Sequence, residues 1–155
     1  MIAYLSGGME NAPNMGSIWR DEISHWLDAE LGHDVFNPVL HQFEVLTIEE
    51  MDEFRRWKLT APEKFKTTVR KMIDADINAI ESKIDYVICL WDKSALKGGG
   101  THGEVTTAYR RGIPVYMITK IPSHKISSWI IGCCKREFNS FNELKAFLLK
   151  KYGLR

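Results

Sequence analysis

Cysteine is scarce in this chain, with three in 155 residues, and those three cannot staple it. Cys133 and Cys134 are adjacent and poorly placed to bridge each other, while Cys89 lies in an apolar run of strand character. Reduced thiols are expected, so the fold has to be held by its core. The five histidines are scattered, without an HExxH or paired CxxC pattern, which argues against a metal cofactor. No apolar run approaches the roughly 20 residues of a membrane span, and the N-terminus enters a short strand without a basic region or cleavage site. A cytoplasmic protein is expected. Charge of one sign is lacking too: the net charge is +1 with 26% charged residues, so neither a nucleic acid polymer nor a membrane is indicated as partner. The dinucleotide fingerprint GxGxxG and the Walker pattern GxxxxGK[ST] are both absent, which disfavours NAD dehydrogenases and P-loop enzymes. No cofactor is expected. There is no internal repeat and no low-complexity tract.

What is present is an alternation of strand-like and helix-like segments in a chain of one-domain length and 45% hydrophobic content. Ile2 to Ser6 is a short apolar run ending in Gly7-Gly8. Trp19, Ile23, Trp26, Leu27 and Leu31 follow at helical spacing, closed by Gly32. Asp34-Val35-Phe36 reads as a short strand stopped at Pro38. Residues 39–60 form a polar, aromatic insert with a helix starting at the capping box Thr47…Glu50, a candidate lid over the sheet. A second box, Thr60…Glu63, opens a helix to about Glu81 with the stripe Phe65, Val69, Met72, Ile73, Ile77 and Ile80. Ile84 to Trp91 and Ile113 to Thr119 are near-continuous apolar strands of the kind buried on both faces, and Ser140 to Lys151 is a closing helix. The stretch Trp129 to Phe138 fits no single element. The alternation predicts a single-domain, doubly wound α/β/α sandwich over residues 1–155, with a mainly parallel sheet of Rossmann-like type and flavodoxin-like strand order.

Chemistry concentrates where a strand ends. Gly98-Gly99-Gly100-Thr101-His102-Gly103-Glu104 follows an apolar strand and opens a helix, and ligands of parallel sheets bind at the carboxyl ends of strands. Glu104 is thereby a candidate nucleophile, held ionised by the helix dipole. Its competing explanation is structural, because Thr101-x-x-Glu104 is itself a capping box. The shared helix face with Val105 and Ala108 points Glu104 toward the sheet and favours a site. Asp76 falls inside an apolar helical stripe, where an unpaired carboxylate needs a partner, a raised pKa or a cavity. Asp92 ends a strand and Tyr4 lies on the first one; each also has an ordinary structural explanation, as a residue common after strands and as a core tyrosine.

Tyr4-Leu5-Ser6-Gly7-Gly8, the run Asp76-Ile77-Asn78-Ala79-Ile80, the strand ending at Asp92 and Gly100-Thr101-x-x-Glu104 together resemble the nucleoside 2-deoxyribosyltransferase family. The resemblance covers most of the chain and is densest from Asp76 to Pro114. Trp19-Arg20 and Phe36-Asn37-Pro38 are similar to a divergent, deoxyribosyltransferase-like branch. The resemblance implies N-glycosidic bond chemistry on a nucleoside or nucleotide, with a free nucleobase as exchange partner and self-association into a homo-oligomer. It makes Glu104 the nucleophile at the anomeric carbon, Asp76 the proton-handling acid and Tyr4 the group that positions Glu104. Asp92 would contact sugar or base. By similarity to deoxynucleoside 5′-monophosphate N-hydrolases, Ser6, Gly7, Gly8, Arg20 and Ser94 would hold phosphate. Gly100 and Thr101 would border the substrate. Apart from the resemblance, the five tryptophans offer stacking surfaces for a base, with Trp57 in the insert and Trp91 at the strand end as candidates, and core or interface as their ordinary place. The stretch Cys133 to Glu137 lacks the asparagine that a neighbouring subunit lends in the transferases.

Two other functions compete. Gly98 to Glu104 resembles the PGGxGTxxE motif of lysine-decarboxylase-like phosphoribohydrolases, though without its proline. A catalytically silent nucleotide sensor shares the same kind of fold.

Overall fold

The structure is a computed structural model that describes residues 1–153. Five parallel strands form one sheet in the order β2-β1-β3-β4-β5, which is the expected flavodoxin-like order. The strands are β1 (Ile2–Gly7), β2 (Asp34–Phe36), β3 (Tyr86–Trp91), β4 (Val115–Thr119) and β5 (Arg136–Phe138). Between them lie α1 (Ser17–Leu31), α2 (Pro38–Val45), α3 (Ile48–Thr60), α4 (Pro62–Ser82), α5 (Lys93–Lys97), α6 (Gly100–Arg110) and α7 (Ser128–Cys133), and α8 (Phe141–Tyr152) closes the order.

Period-two alternation along the strands builds both cores. Ala3 and Leu5 of β1, Tyr86, Ile88 and Leu90 of β3, and Tyr116 and Ile118 of β4 pack against Ile23 and Leu27 of α1 and Leu144 and Leu148 of α8. Their neighbours Tyr4, Val87, Cys89, Trp91, Val115 and Met117 face Ile80 of α4, Val105 and Ala108 of α6, and Ile130 of α7. Each fully buried aliphatic side chain contributes about 1.5–3 kcal/mol, so two such faces supply most of the drive to fold. The alternation also sends Tyr4 and Ser6 to the α6 face. The strand order reverses between β1 and β3, with β2 added on one side and β4 and β5 on the other, so the crevice at their carboxyl ends is the topological switch point.

Several local expectations are altered. Thr47 and Glu50 form both bonds of a capping box at α3, as read from sequence. The Thr60…Glu63 box does not form, because Thr60 is still inside α3, where its hydroxyl donates to Arg56 O; Ala61 caps α4 instead. Pro38 does more than stop β2, since it sits in the first turn of α2, capped by the Asn37 side chain, and the insert therefore holds two helices. The ambiguous stretch after Ser127 resolves into α7 and the edge strand β5.

The loop after β1 runs against the start of α5. A Cβ on Gly8 would lie 2.0 Å from Ser94 Oγ and 3.0 Å from the Ser94 carbonyl carbon. Gly8→Ala is expected to lower stability by roughly 1–3 kcal/mol in chemical denaturation, the usual cost of overpacking. Gly132→Ala, where a Cβ meets nothing within 4 Å, is expected to be neutral or slightly stabilising.

Candidate active site

Glu104 lies on the second turn of α6, because the helix begins at Gly100 with Gly99 as its N-cap. This overturns two expectations. The Thr101…Glu104 capping box is absent, and the helix dipole, strongest in the first turn, is not what chiefly supports the carboxylate. Glu104 turns instead to the sheet, where Ser6 Oγ donates to its Oε2 at 2.5 Å in a buried hydrogen bond. Burial pushes the Glu104 pKa up, and the Ser6 hydroxyl, the Tyr4 phenol and the nearby Arg20 charge act against that rise.

Asp76 reaches the same crevice from α4. Burial, followed by repulsion from Glu104, raises its pKa to about 7, with Tyr4 and Arg20 opposing. The fully buried Tyr4 hydroxyl lies against both carboxylates without meeting full hydrogen-bond geometry to either, and its own pKa is pushed up by burial and by their charges. The three residues read as catalytic candidates are therefore brought together.

A cavity of about 240 Å³ opens in front of them. Its floor is Gly7, Gly8, Ser94, Gly98 to Thr101 and the two carboxylates. Its wall comes from the insert and α4: Gln42 and Val45 of α2, Phe54 and Arg55 of α3, and Phe65, Val69, Met72 and Ile73 of α4. The apolar stripe of α4 thus lines the cavity over its first half and packs on the sheet over its second. Gln42, His41 and Arg55 carry no motif and were not marked by sequence; the only signal was the unusual length of the insert between a short strand and a long helix.

Other candidate residues sit elsewhere. The Asp92 carboxylate caps α5, accepting from Ser94 N at 2.8 Å, Ala95 N at 3.1 Å and Ser94 Oγ at 2.5 Å, and does not line the cavity. Trp91 is wholly buried with its ring edge-on to His102, so it offers no stacking face to a base. Trp57 is also buried, with Lys64 Nζ 3.8 Å above its ring. Arg20 has no exposed surface and spends its donors on the carbonyls of Leu5, Gly7, Met15 and Gly16, which leaves it unsuited to hold phosphate. Among the described residues no group of three or more His, Cys, Asp or Glu side chains could hold a metal ion, and no helix is long and apolar enough to cross a membrane.

No family model matches the chain, and neither does any curated protein. A solved structure does: a 2-deoxyribosyltransferase from the psychrotolerant bacterium Bacillus psychrosaccharolyticus, described as a biocatalyst for nucleoside synthesis. It superposes with a TM-score of 0.64 over 100% of this chain and 98% of that one, at 16% identity. At that identity the shared property is the fold, a distant deoxyribosyltransferase-like α/β sandwich.

The raised Asp76 pKa has a consequence for stability. Below the ordinary carboxyl range both folded and unfolded chains hold the proton, so stability is full there. It is lost as the pH rises, because the unfolded chain ionises first, and the loss ends once the pH passes the folded value of about 7. The total is about 4 kcal/mol, of which about 3 falls between about pH 5 and about pH 8. Urea denaturation at those two values is expected to show most of this loss in the native chain and little of it in Asp76→Asn.

Proposed function

We propose that the protein cleaves the N-glycosidic bond of a nucleoside or its 5′-monophosphate through a covalent intermediate on Glu104. The observation that carries this reading is the pairing of two carboxylates of different environment in one crevice: buried Glu104, supplied with a donor by Ser6, and half-buried Asp76, raised to about 7. Pairs of acids whose surroundings push them apart are suited to the separate tasks of nucleophile and proton donor.

In the first half-reaction a Glu104 carboxylate oxygen bonds to the anomeric carbon as the carbon–nitrogen bond breaks. The electron pair of that bond leaves on the base nitrogen, which takes the proton of Asp76. In the second, water or another base attacks the anomeric carbon, the ester carbon–oxygen bond breaks to return the carboxylate, and the attacking group gives its proton to Asp76. A group titrating near neutrality serves both transfers. Positive charge gathers on the sugar in the transition state of each half-reaction, where the bond to Glu104 is only partly formed or partly broken and its carboxylate lies against that charge. Tyr4 is suited to hold the nucleophile, and the apolar wall from α2 to α4 is suited to cover a base and exclude water.

The test is chromatographic. The protein is incubated with ribo- and deoxyribonucleosides and their 5′-monophosphates, with and without an added free base, and released or exchanged base is measured. Turnover of one class is expected, with Glu104→Ala reducing it at least ~10³-fold and Asp76→Asn by roughly 10²-fold or more on unactivated bases. Exchange without added water products marks a transferase; release alone marks a hydrolase. Full turnover in Glu104→Ala would overturn the mechanism, and saturable binding with no turnover would make the domain a nucleotide sensor.

A further inference from the structure

We propose that Arg20 is a positioning residue of this site: its guanidinium stands in for the missing continuation of β2 along β1 and so fixes Ser6 against Glu104. The proposal rests on the reading of Glu104 as the nucleophile.

The need arises from the sheet. β2 pairs with β1 only through Ile2↔Asp34, Ala3↔Val35 and Tyr4↔Phe36, after which Asn37-Pro38 turns the chain into α2. From Leu5 to Gly7, β1 is paired on one side only, with Ile88, Cys89 and Leu90 of β3. The edge vacated by β2 would leave buried carbonyls without donors, a costly state. Arg20 supplies them: Nε donates to Leu5 O at 3.2 Å and Nη2 to Gly7 O at 2.9 Å, bracketing Ser6 on either side. Ser6 in turn makes the 2.5 Å hydrogen bond to Glu104.

The same guanidinium holds a strained turn. Asn14, Met15 and Gly16 have φ of 48°, 54° and 68°, a left-handed run in which two of the three residues carry a Cβ. Such a run persists where its surroundings over-determine it. Here Arg20 Nη1 donates to the two carbonyls of the turn, Met15 O and Gly16 O, at 3.1 Å each. A Cβ on Gly16 would lie 2.5 Å from Nη1 and 2.9 Å from Gly8 O, so the turn is folded directly onto the clasp and the first glycine loop. One rigid fork thus joins α1, the turn and the end of β1, which the flexible point charge of a lysine cannot do.

Among the described residues Arg20 makes no ion pair, and its four hydrogen bonds run to backbone oxygens. Its charge therefore remains to act on the ionisable groups around Glu104, namely Tyr4 on β1, Asp76 on α4 and Cys89 on β3. Fork and charge can be separated by substitution. Arg20→Lys keeps the charge and loses the fork, Arg20→Met loses both, and Gly16→Ala pushes on Nη1 while leaving Arg20 in the chain.

Carboxyl carbon NMR titration of the free protein reads the outcome without any substrate. In Arg20→Lys and in Gly16→Ala, the Glu104 midpoint is expected to rise by about one pH unit as Ser6 is released, with no rise at Asp76, whose repulsion from Glu104 eases; in Arg20→Met both midpoints rise. On a substrate that is turned over, Arg20→Lys is expected to lower kcat by about tenfold or more with KM within about twofold, the mark of lost positioning. Unmoved midpoints in every variant that folds would reduce Arg20 to a structural clasp and overturn the proposal. Midpoints that move in Arg20→Met alone would overturn it in favour of a role through charge only. If both Arg20 variants fail to fold, Gly16→Ala decides by the same Glu104 midpoint. If the native protein turns over no substrate while the titration behaves as expected, it is the reaction that fails and not the coupling of Arg20 to Glu104.

Discussion

A single buried hydrogen bond, from the Ser6 hydroxyl at the end of β1 to the Glu104 carboxylate on α6, is the constraint around which the site is arranged. A carboxylate taken out of water at the end of a sheet is costly unless donors replace the lost solvent. Strand alternation provides them: Tyr4 and Ser6, two apart on β1, face α6, while Ala3 and Leu5 face α1 and α8. A one-residue slip of β1 would exchange the two sets and leave Glu104 against aliphatic carbon. The switch-point topology then determines what lies in front of the pair, because β1 and β3 send their connections to opposite faces and leave a crevice between them.

Asp76 and Glu104 are set apart chiefly by their environment. Glu104 receives a hydroxyl donor and sits nearer the influence of Arg20, whereas burial and the charge of Glu104 dominate at Asp76. Both carboxyls are raised by burial, and only at Glu104 does a serine hydroxyl donor work against the rise. The division follows from which element carries each acid. α6 packs on β1 and β3, where polar groups of β1 are within reach, while Asp76 is on the helix whose stripe must be apolar to wall the cavity.

Much of this was legible in sequence because its determinants are local. The apolar runs at β1, β3 and β4 are periodic or continuous, and the glycine run before α6 marks a strand end without reference to the rest of the chain. Asp76 stood out because a carboxylate at that phase of an amphipathic helix needs a partner, a raised pKa or a cavity, although a core aspartate capping a neighbouring loop would have read the same way. What escaped depends on tertiary arrangement. Three-residue β5, with Arg136 and Glu137 exposed, carries no hydrophobic pattern of its own and exists only because β4 offers it an edge. Thr60…Glu63 has the spacing of a capping box, but α3 runs on to Thr60 and claims it. Trp91 and Asp92 end a strand at the switch point, where composition suggests ligand contact; packing of α5 and His102 over them decides otherwise. Arg20 reads as a ligand for anions until its four acceptors are known.

The distribution of charge around the cavity bears on the chemistry it can support. Arg20, the buried cation, lies behind the carboxylates and is engaged by backbone, so it tempers their pKa values without facing a ligand. Among the described lining residues Arg55 is the sole lysine or arginine, and it is an exposed residue of α3, with its guanidinium 4.6 Å over the Phe54 ring. The acids Asp76 and Glu104 share the lining with a third acid, Glu10, and with the neutral polar side chains of Asn11, Gln42 and Ser94. Such an interior attracts positive charge more than it holds negative charge. On the proposed reading, a neutral sugar bound there would gain most from the field when its anomeric carbon becomes cationic, which is the condition for the field to lower a barrier and not merely to bind.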